Sequence, residues 1–316
     1  MLALEYHQKP KNNMKKLLFI LLVYATLSSC NTNKKENGKL NVVTTTTMIT
    51  DLVKNIGKDS ININGLMGSG VDPHLYKASE GDVTKLVNAD VIFYNGLHLE
   101  GKLVEVFEKM GSSTKTPIAL GEEIDKSTLI GSDYFASNYD PHVWFNIEYF
   151  KQFTQKVTAV LIEKDAKNAK YYKANETEYL AKLNTLQKTI TAKIETLPKD
   201  KRILVTAHDA FNYFGKNYGF EVVGLQGLST ATEAGVKDVQ NLANFIIEKQ
   251  LKAVFVESSV PKRTIEALQK AVNAKGHDVQ IGGTLYSDAL GSAGTTEGTY
   301  IGMFEYNVNT IIDALK

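Results

Sequence analysis

IEYFKQFTQKVTAVLIEKDAKNAKYYKANETEYLAKLNTLQKTITAKIETLP, residues 147–198, is the stretch whose reading decides the fold. It holds no glycine, and no proline before Pro198, so nothing in it punctuates a helix. Tyr149, Phe150, Phe153, Val157, Val160 and Leu161 recur at helical spacing. The pattern predicts a helix up to Lys164, a short turn near Asp165, and a helix of about thirty residues to Leu197, about 45 Å long at 1.5 Å per residue. A flexible linker would be rich in glycine and serine, so this connection is stiff. Leu180, Leu183, Leu186 and Ile190 sustain too few heptads for a coiled-coil arm.

On both sides of this stretch, strands and helices alternate. Ahead of it come a β-branched strand at Leu40–Thr46, a helix at Ile49–Ile56, a strand at Ile61–Leu66, a helix at Ser79–Asn88 with Ser79 and Asp82 placed as a capping box, and a buried strand at Val91–Tyr94. A helix over Glu100–Met110 and an extended Thr116–Leu120 follow. Behind it come strands at Ile203–Thr206, Phe220–Gly224, Ala253–Val256 and Val279–Ile281, interleaved with helices at Ala210–Asn217, Val236–Gln250, Pro261–Asn273 and Tyr300–Leu315. The rhythm means parallel-type sheets with helical cover. The expected fold is α/β, with two lobes joined by one long rigid helix and a site in the crevice between them. In residue numbers this gives an N-terminal lobe at 40–165, a bridging helix at 166–197 and a C-terminal lobe at 198–316.

The first residues belong to targeting. Met14-Lys15-Lys16 opens a basic segment, Leu17 to Val23 is a short apolar core, and Leu27-Ser28-Ser29-Cys30 closes it. That apolar run is too short to cross a bilayer, so residues 1–29 read as a secretory signal whose true start is Met14. Cys30 is the chain's one cysteine, which excludes an internal disulfide. Its position after two small residues resembles the lipobox of bacterial lipoproteins, and residues 30–39 would then be the tether of a lipid-anchored protein of the cell envelope. Thirty-six basic against thirty-five acidic residues leave no excess to neutralise phosphates, which argues against nucleic acid.

Two Asp-Pro-His triplets, Asp72-Pro73-His74 and Asp140-Pro141-His142, present a histidine from a loop stiffened by proline. Beside them stand Ala207-His208-Asp209 and Tyr286-Ser287-Asp288, each close to the carboxyl end of an expected strand, the edge where open α/β sheets bind ligands. Three imidazoles and a carboxylate make a plausible closed donor set for a divalent transition ion. Separations of roughly 70 residues match none of the short structural-zinc spacings, so the fold would have to assemble such a site. On spacing alone a loop histidine is more often a surface or hydrogen-bonded residue than a ligand. Glu257 either orients a ligand histidine or pairs with Arg263, and His98 is either a supporting or alternate ligand or a loop histidine. Asp72 and Asp140 read as turn acceptors, Asp209 as a cap for the helix near Ala210, and His277 as solvated.

The stretches Gly70 to Tyr76, Tyr94 to Glu100, Asp140 to Trp144, Thr206 to Phe211, Val256 to Ser259 and Tyr286 to Leu290 together resemble the metal-binding lipoproteins of bacterial zinc and manganese ABC importers. These are the cluster A-I solute-binding proteins, the TroA-like or zinc-uptake family. The resemblance spans nearly everything after Cys30. It implies that His74, His142, His208 and Asp288 occupy the family's four ligand positions and that the long helix is its inter-lobe backbone. One departure is the lack of histidine between His98 and His142, where zinc-specific members often carry a histidine-rich loop. In the other direction, His208 stands where manganese-selective members more often have glutamate, and imidazole favours zinc over manganese.

The expected function is therefore capture of Zn²⁺, with Mn²⁺ as the alternative, by a monomer that delivers the ion to an ABC permease and is no enzyme. Capture needs neutral imidazoles and should weaken as pH falls through about 6.5. A stiff bridge predicts modest closure. The competing readings are a zinc hydrolase built on the same residues, which would need an open water position, and a surface adhesin.

Overall fold

Seven short elements, β1 (Leu40–Thr44), α1 (Thr47–Gly57), β2 (Ile61–Gly65), α2 (Glu80–Asn88), β3 (Val91–Tyr94), α3 (Val104–Gly111) and β4 (Ile118–Ala119), build the first lobe. The computed structural model describes residues 38–111, 117–133 and 135–316; the signal segment, Cys30 and the tether up to residue 37 lie outside them. The four strands form one parallel sheet in the order β2-β1-β3-β4, with Val42 opposite Ile63 and Val91. Helix α1 starts where the Thr46 hydroxyl accepts the Ile49 N–H, and α2 starts in the reciprocal Ser79/Asp82 box read from the sequence.

The decisive stretch folds as α4 (Ile147–Lys164), a 3₁₀ turn at Ala166–Asn168, and α5 (Ala169–Glu195). At 27 residues α5 runs about 40 Å. It is more than a bridge. Tyr172, Tyr179, Leu183, Leu186, Ile190 and Ile194 are buried along one face, which packs on α1, α4 and the C-terminal helix α9 (Tyr300–Leu315). One apolar core therefore runs through both lobes, with the Phe150 ring stacked on Tyr300 at 3.7 Å.

The second lobe contains β5 (Ile203–His208), α6 (Asn212–Tyr218), β6 (Glu221–Gln226), α7 (Val236–Glu248), β7 (Ala253–Glu257), α8 (Arg263–Asn273) and β8 (Gln280–Leu285) before α9. Strands pair in parallel as β5-β6 and β7-β8, and β5 lies beside β7. Val205, Ala207, Val254 and Val256 pack with Ile246, Ile265, Leu268 and Val272 into a second core beneath α7 and α8.

Several boundaries differ from the sequence reading, each for a local reason. The helix expected from Glu100 starts at Val104, because the buried Glu100 carboxylate accepts hydrogen bonds from Thr45 Oγ1 (2.6 Å), Asn95 N (2.8 Å) and Gly96 N (3.2 Å). Leu97 and His98 adopt left-handed backbone inside that loop. Pro261 precedes α8 by two residues instead of starting it. Asp209 does not cap α6: the helix begins at Asn212, Phe211 holds the N-cap position, and no side chain caps it.

Candidate metal centre

His208 is the last residue of β5, and Glu257 the last of β7 on the neighbouring strand. The Glu257 carboxylate grips His208 twice, accepting its backbone N–H at Oε1 (2.8 Å) and facing ring Nδ1 at Oε2 (2.6 Å). Gly224 on β6 makes room for this strand end, since a Cβ there would lie 2.5 Å from the Asp209 nitrogen. With Nδ1 bound to a carboxylate, the imidazole presents Nε2 to the interior, the arrangement that orients and strengthens a metal-binding histidine.

His142 follows the same logic from the first lobe. Asp140 Oδ1 accepts the His142 backbone N–H (2.9 Å) and lies 2.7 Å from ring Nδ1. In the other triplet, Asp72 Oδ1 accepts the His74 backbone N–H at 2.8 Å. Asp288 sits three residues past β8 on a loop that Asn307 of α9 holds by both ends of its amide, to Tyr286 N (2.9 Å) and Tyr286 O (2.7 Å). Trp144, two residues after His142, donates its indole N–H to Ser287 O at 3.0 Å, fastening that loop to the first lobe.

The four side chains meet in one buried point, with one ligand atom from each lying within 4.8 Å of the others. His74 Nε2 is 3.3 Å from His142 Nε2, His208 Nε2 is 3.3 Å from Asp288 Oδ2, and Asp288 is 3.6 Å from His142 and 3.8 Å from His74. A tetrahedron with metal–ligand bonds of about 2.0–2.1 Å has edges of about 3.3–3.4 Å, so the cluster already has close to the dimensions of a four-coordinate shell. His208 Nε2 and both Asp288 oxygens are buried without a hydrogen-bond partner. Buried polar atoms left this way are costly unless a cation takes up their lone pairs.

The electrostatics hold His74 and Asp288 in the forms that bind a cation and favour a proton on His208, which an incoming ion would have to displace. Burial drives the His74 pKa down to about 3, so its imidazole is neutral at physiological pH. Burial works against charge on His208 too, but the Glu257 and Asp288 carboxylates overcome it and raise its pKa well above the ordinary value. Burial likewise tends to raise Asp288, yet the imidazoles, His208 foremost, hold its carboxyl below the usual range.

The structure thus brings together His74, His142, His208 and Asp288 and sets Glu257 behind His208. Arg263, the other partner weighed for Glu257, pairs with Glu233 instead at 3.1 Å. His98 stands apart, exposed, with its ring edge-on to Phe135. His277 is half-buried, its Nε2 2.7 Å from Leu251 O, and so is less solvated than its turn suggested. Asp72 and Asp140 are turn acceptors, as the sequence implies, and Asp140 also contacts the His142 ring, which the sequence pattern does not reveal. Asn307 also went unread, although a single asparagine amid the apolar face of the last helix was a usable signal.

A two-lobed α/β protein with a buried three-histidine, one-carboxylate centre defines the class of metal-capturing solute-binding proteins. The chain belongs to the family described as "Zinc-uptake complex component A periplasmic", which matches residues 42–314. It is 46% identical over 308 residues to the manganese-binding lipoprotein MntA of Bacillus subtilis, covering 96% of this chain and 100% of that one. It is 48% identical over 279 residues to the zinc-binding protein TroA of Treponema pallidum, covering 88% and 90%. The solved structure of that periplasmic zinc-binding protein superposes with a TM-score of 0.85 over 88% of this chain and 99% of the other.

Proposed function

We propose that this protein captures one divalent transition-metal ion, Zn²⁺ before Mn²⁺, and hands it to the permease of an ABC importer. The observation that carries the reading is the closed set of donors, three imidazole nitrogens and a carboxylate at tetrahedral-edge separations with orphaned lone pairs facing inward. A nitrogen-rich donor set favours zinc, whereas manganese prefers more oxygen. Relatives named for manganese and for zinc stand at nearly equal identity, so the preference for zinc rests on the donor chemistry. His74, His142, His208 and Asp288 are the ligands, and Glu257 and Asp140 orient two of the imidazoles. A hydrolase would leave one coordination position to water; four converging side chains and kinship with solute-binding proteins favour capture.

The same reading extends to the N-terminus. Cys30 behind Leu27-Ser28-Ser29 becomes the lipidated first residue of a monomer tethered outside the cytoplasm, consistent with relatives named as lipoproteins. No helix among the described residues is long and apolar enough to cross a membrane. Residues 40–165 and 198–316 act as the two lobes about the helical spine.

Competitive titration of a Cys30-less soluble form with Zn²⁺ and Mn²⁺ tests the proposal. One ion per chain is expected, with zinc bound more tightly, and His208→Ala should weaken it by at least about a hundredfold. Unchanged affinity in His208→Ala would remove His208 from the site.

A further inference from the structure

The loop of residues 66–78 carries His74 from β2 towards the second lobe. Its ends are anchored in the first lobe: Leu66 N and Met67 N donate to Thr44 O and Thr45 O, and Tyr76 Oη lies 3.2 Å from Leu66 O and 2.7 Å from Asp82 Oδ2. Among the described residues, two of its side chains hydrogen-bond to the second lobe. Ser69 Oγ donates to Leu290 O (2.9 Å), and Asp72 Oδ2 accepts from Thr230 Oγ1 (2.5 Å). Gly70 makes the turn between them with φ +72°. Asp72 is thus a two-headed acceptor, with one oxygen seating the His74 backbone and the other holding a hydroxyl of the opposite lobe.

Thr230 belongs to the segment of residues 227–235 that joins β6 to α7, and its own residue is buried. Beside that segment lies a cleft of about 490 Å³, lined by Ser132, Phe135, Asp209, Gln226 and Glu233 among others. Phe135, which lines this space, also meets the His74 ring edge-on at 6.4 Å. The segment therefore lines this cleft with several of its residues, and its hydrogen bond to Asp72 is made where His74 is carried.

Building on the capture reading, we infer that Thr230 is the latch of the metal site: by holding Asp72 it keeps the His74 loop on the second lobe and so sets how fast the ion leaves. Thr230 is a positioning residue, since it touches Asp72 and is absent from the ligand cluster. A hydrogen bond from a hydroxyl to a carboxylate belongs to the stronger, charge-assisted class. Because the latch acts by keeping His74 in place and touches none of the ligand atoms, its loss should appear in dissociation more than in association.

The test is stopped-flow release of Zn²⁺ into a chelator, with association measured separately, on the soluble chain. Thr230→Val keeps the shape and removes the donor. It should still bind one zinc per chain but release it about ten to thirty times faster, with the association rate within about threefold; tenfold corresponds to about 1.4 kcal/mol. Thr230→Ser should restore the wild-type release rate within about twofold. Ser229→Ala, a neighbouring change that loses only a local contact to Ala231 N, should leave release unaltered. Amide exchange offers a second reading, with residues 72–76 exchanging about tenfold faster in Thr230→Val and residues 140–145 unchanged. Release from Thr230→Val within twofold of wild type, or acceleration by Thr230→Ser equal to that by Thr230→Val, overturns the latch. A wild-type protein that binds neither Zn²⁺ nor Mn²⁺ overturns the capture reading instead, and the latch with it.

Discussion

The two Asp-Pro-His triplets are identical in sequence and unlike in what surrounds them. Asp140 is wholly buried; its carboxylate serves the His142 ring, the His142 N–H and Asn212 Nδ2 (3.1 Å) of the second lobe. Its carbonyl accepts from Tyr213 Oη (3.0 Å), and the next carbonyl, that of Pro141, accepts from Asn95 Nδ2 (3.0 Å). Asp72 is half-buried and reaches across the crevice to a single hydroxyl, and the next residue after its histidine, Leu75, is exposed. One triplet is thus a clamped half of the site and the other a fastened half. A proline-stiffened turn aims a histidine, but the number of buried partners decides whether it can move.

The largest test of this difference is Asp140→Ala against Asp72→Ala. The first orphans several buried donors at about 1–3 kcal/mol each, so zinc affinity should fall by about a hundredfold or more and the melting temperature by about 6–10 °C. The second removes the Thr230 contact and the seat of the His74 N–H, so it should cost about ten- to thirtyfold in affinity, mostly as faster release, and about 2 °C or less. Equal losses in calorimetry and titration would erase the distinction between the triplets.

A smaller effect is expected at Asn95, whose amide supports the Pro141 carbonyl from a loop held by Glu100. Asn95→Ala should lower unfolding free energy in urea by about 1–2 kcal/mol and weaken zinc binding through His142. A shift in exchange at residues 72–76 instead of 140–145 would contradict the assignment to the clamped half.

The smallest lies at Asp82, which anchors the fastened loop through Tyr76. Burial tends to raise its carboxyl, but hydrogen bonds from Ser79, Tyr76 and Lys85 hold it below the usual range. A carboxyl with a depressed folded pKa stabilises the protein above its unfolded value of about 3.9, and that stability is lost as pH falls through the folded pKa. Thermal melts should therefore show wild type about 1 °C above Asp82→Ala at pH 7, with the gap closing in strong acid. A gap that widened as pH fell would reverse the sign.

Many local signals carried by a neighbour within four residues were legible, although Asp209 does not cap α6 and Pro261 does not start α8. The Ser79/Asp82 box, the α4 and α5 helices and the final helix over Tyr300–Leu315 all rest on such short-range patterns. The same kind of reasoning placed Glu100 in a helix, where a tertiary claim on its carboxylate prevailed. For Glu257 it left two partners open, because spacing holds no information on whether His208 or Arg263 lies alongside.

By itself the sequence determined the βα alternation and the stiff stretch 147–198, since periodicity is a property of the chain; it offered histidines and carboxylates able to bind metal, and only the resemblance to a family singled out four of them. Only the tertiary structure decided that α5 is the spine of a shared core, that Asp140 and Glu257 turn two imidazoles inward, and that Thr230 meets Asp72 across 158 positions. Those contacts join residues far apart in the chain, and burial, not spacing, selects them.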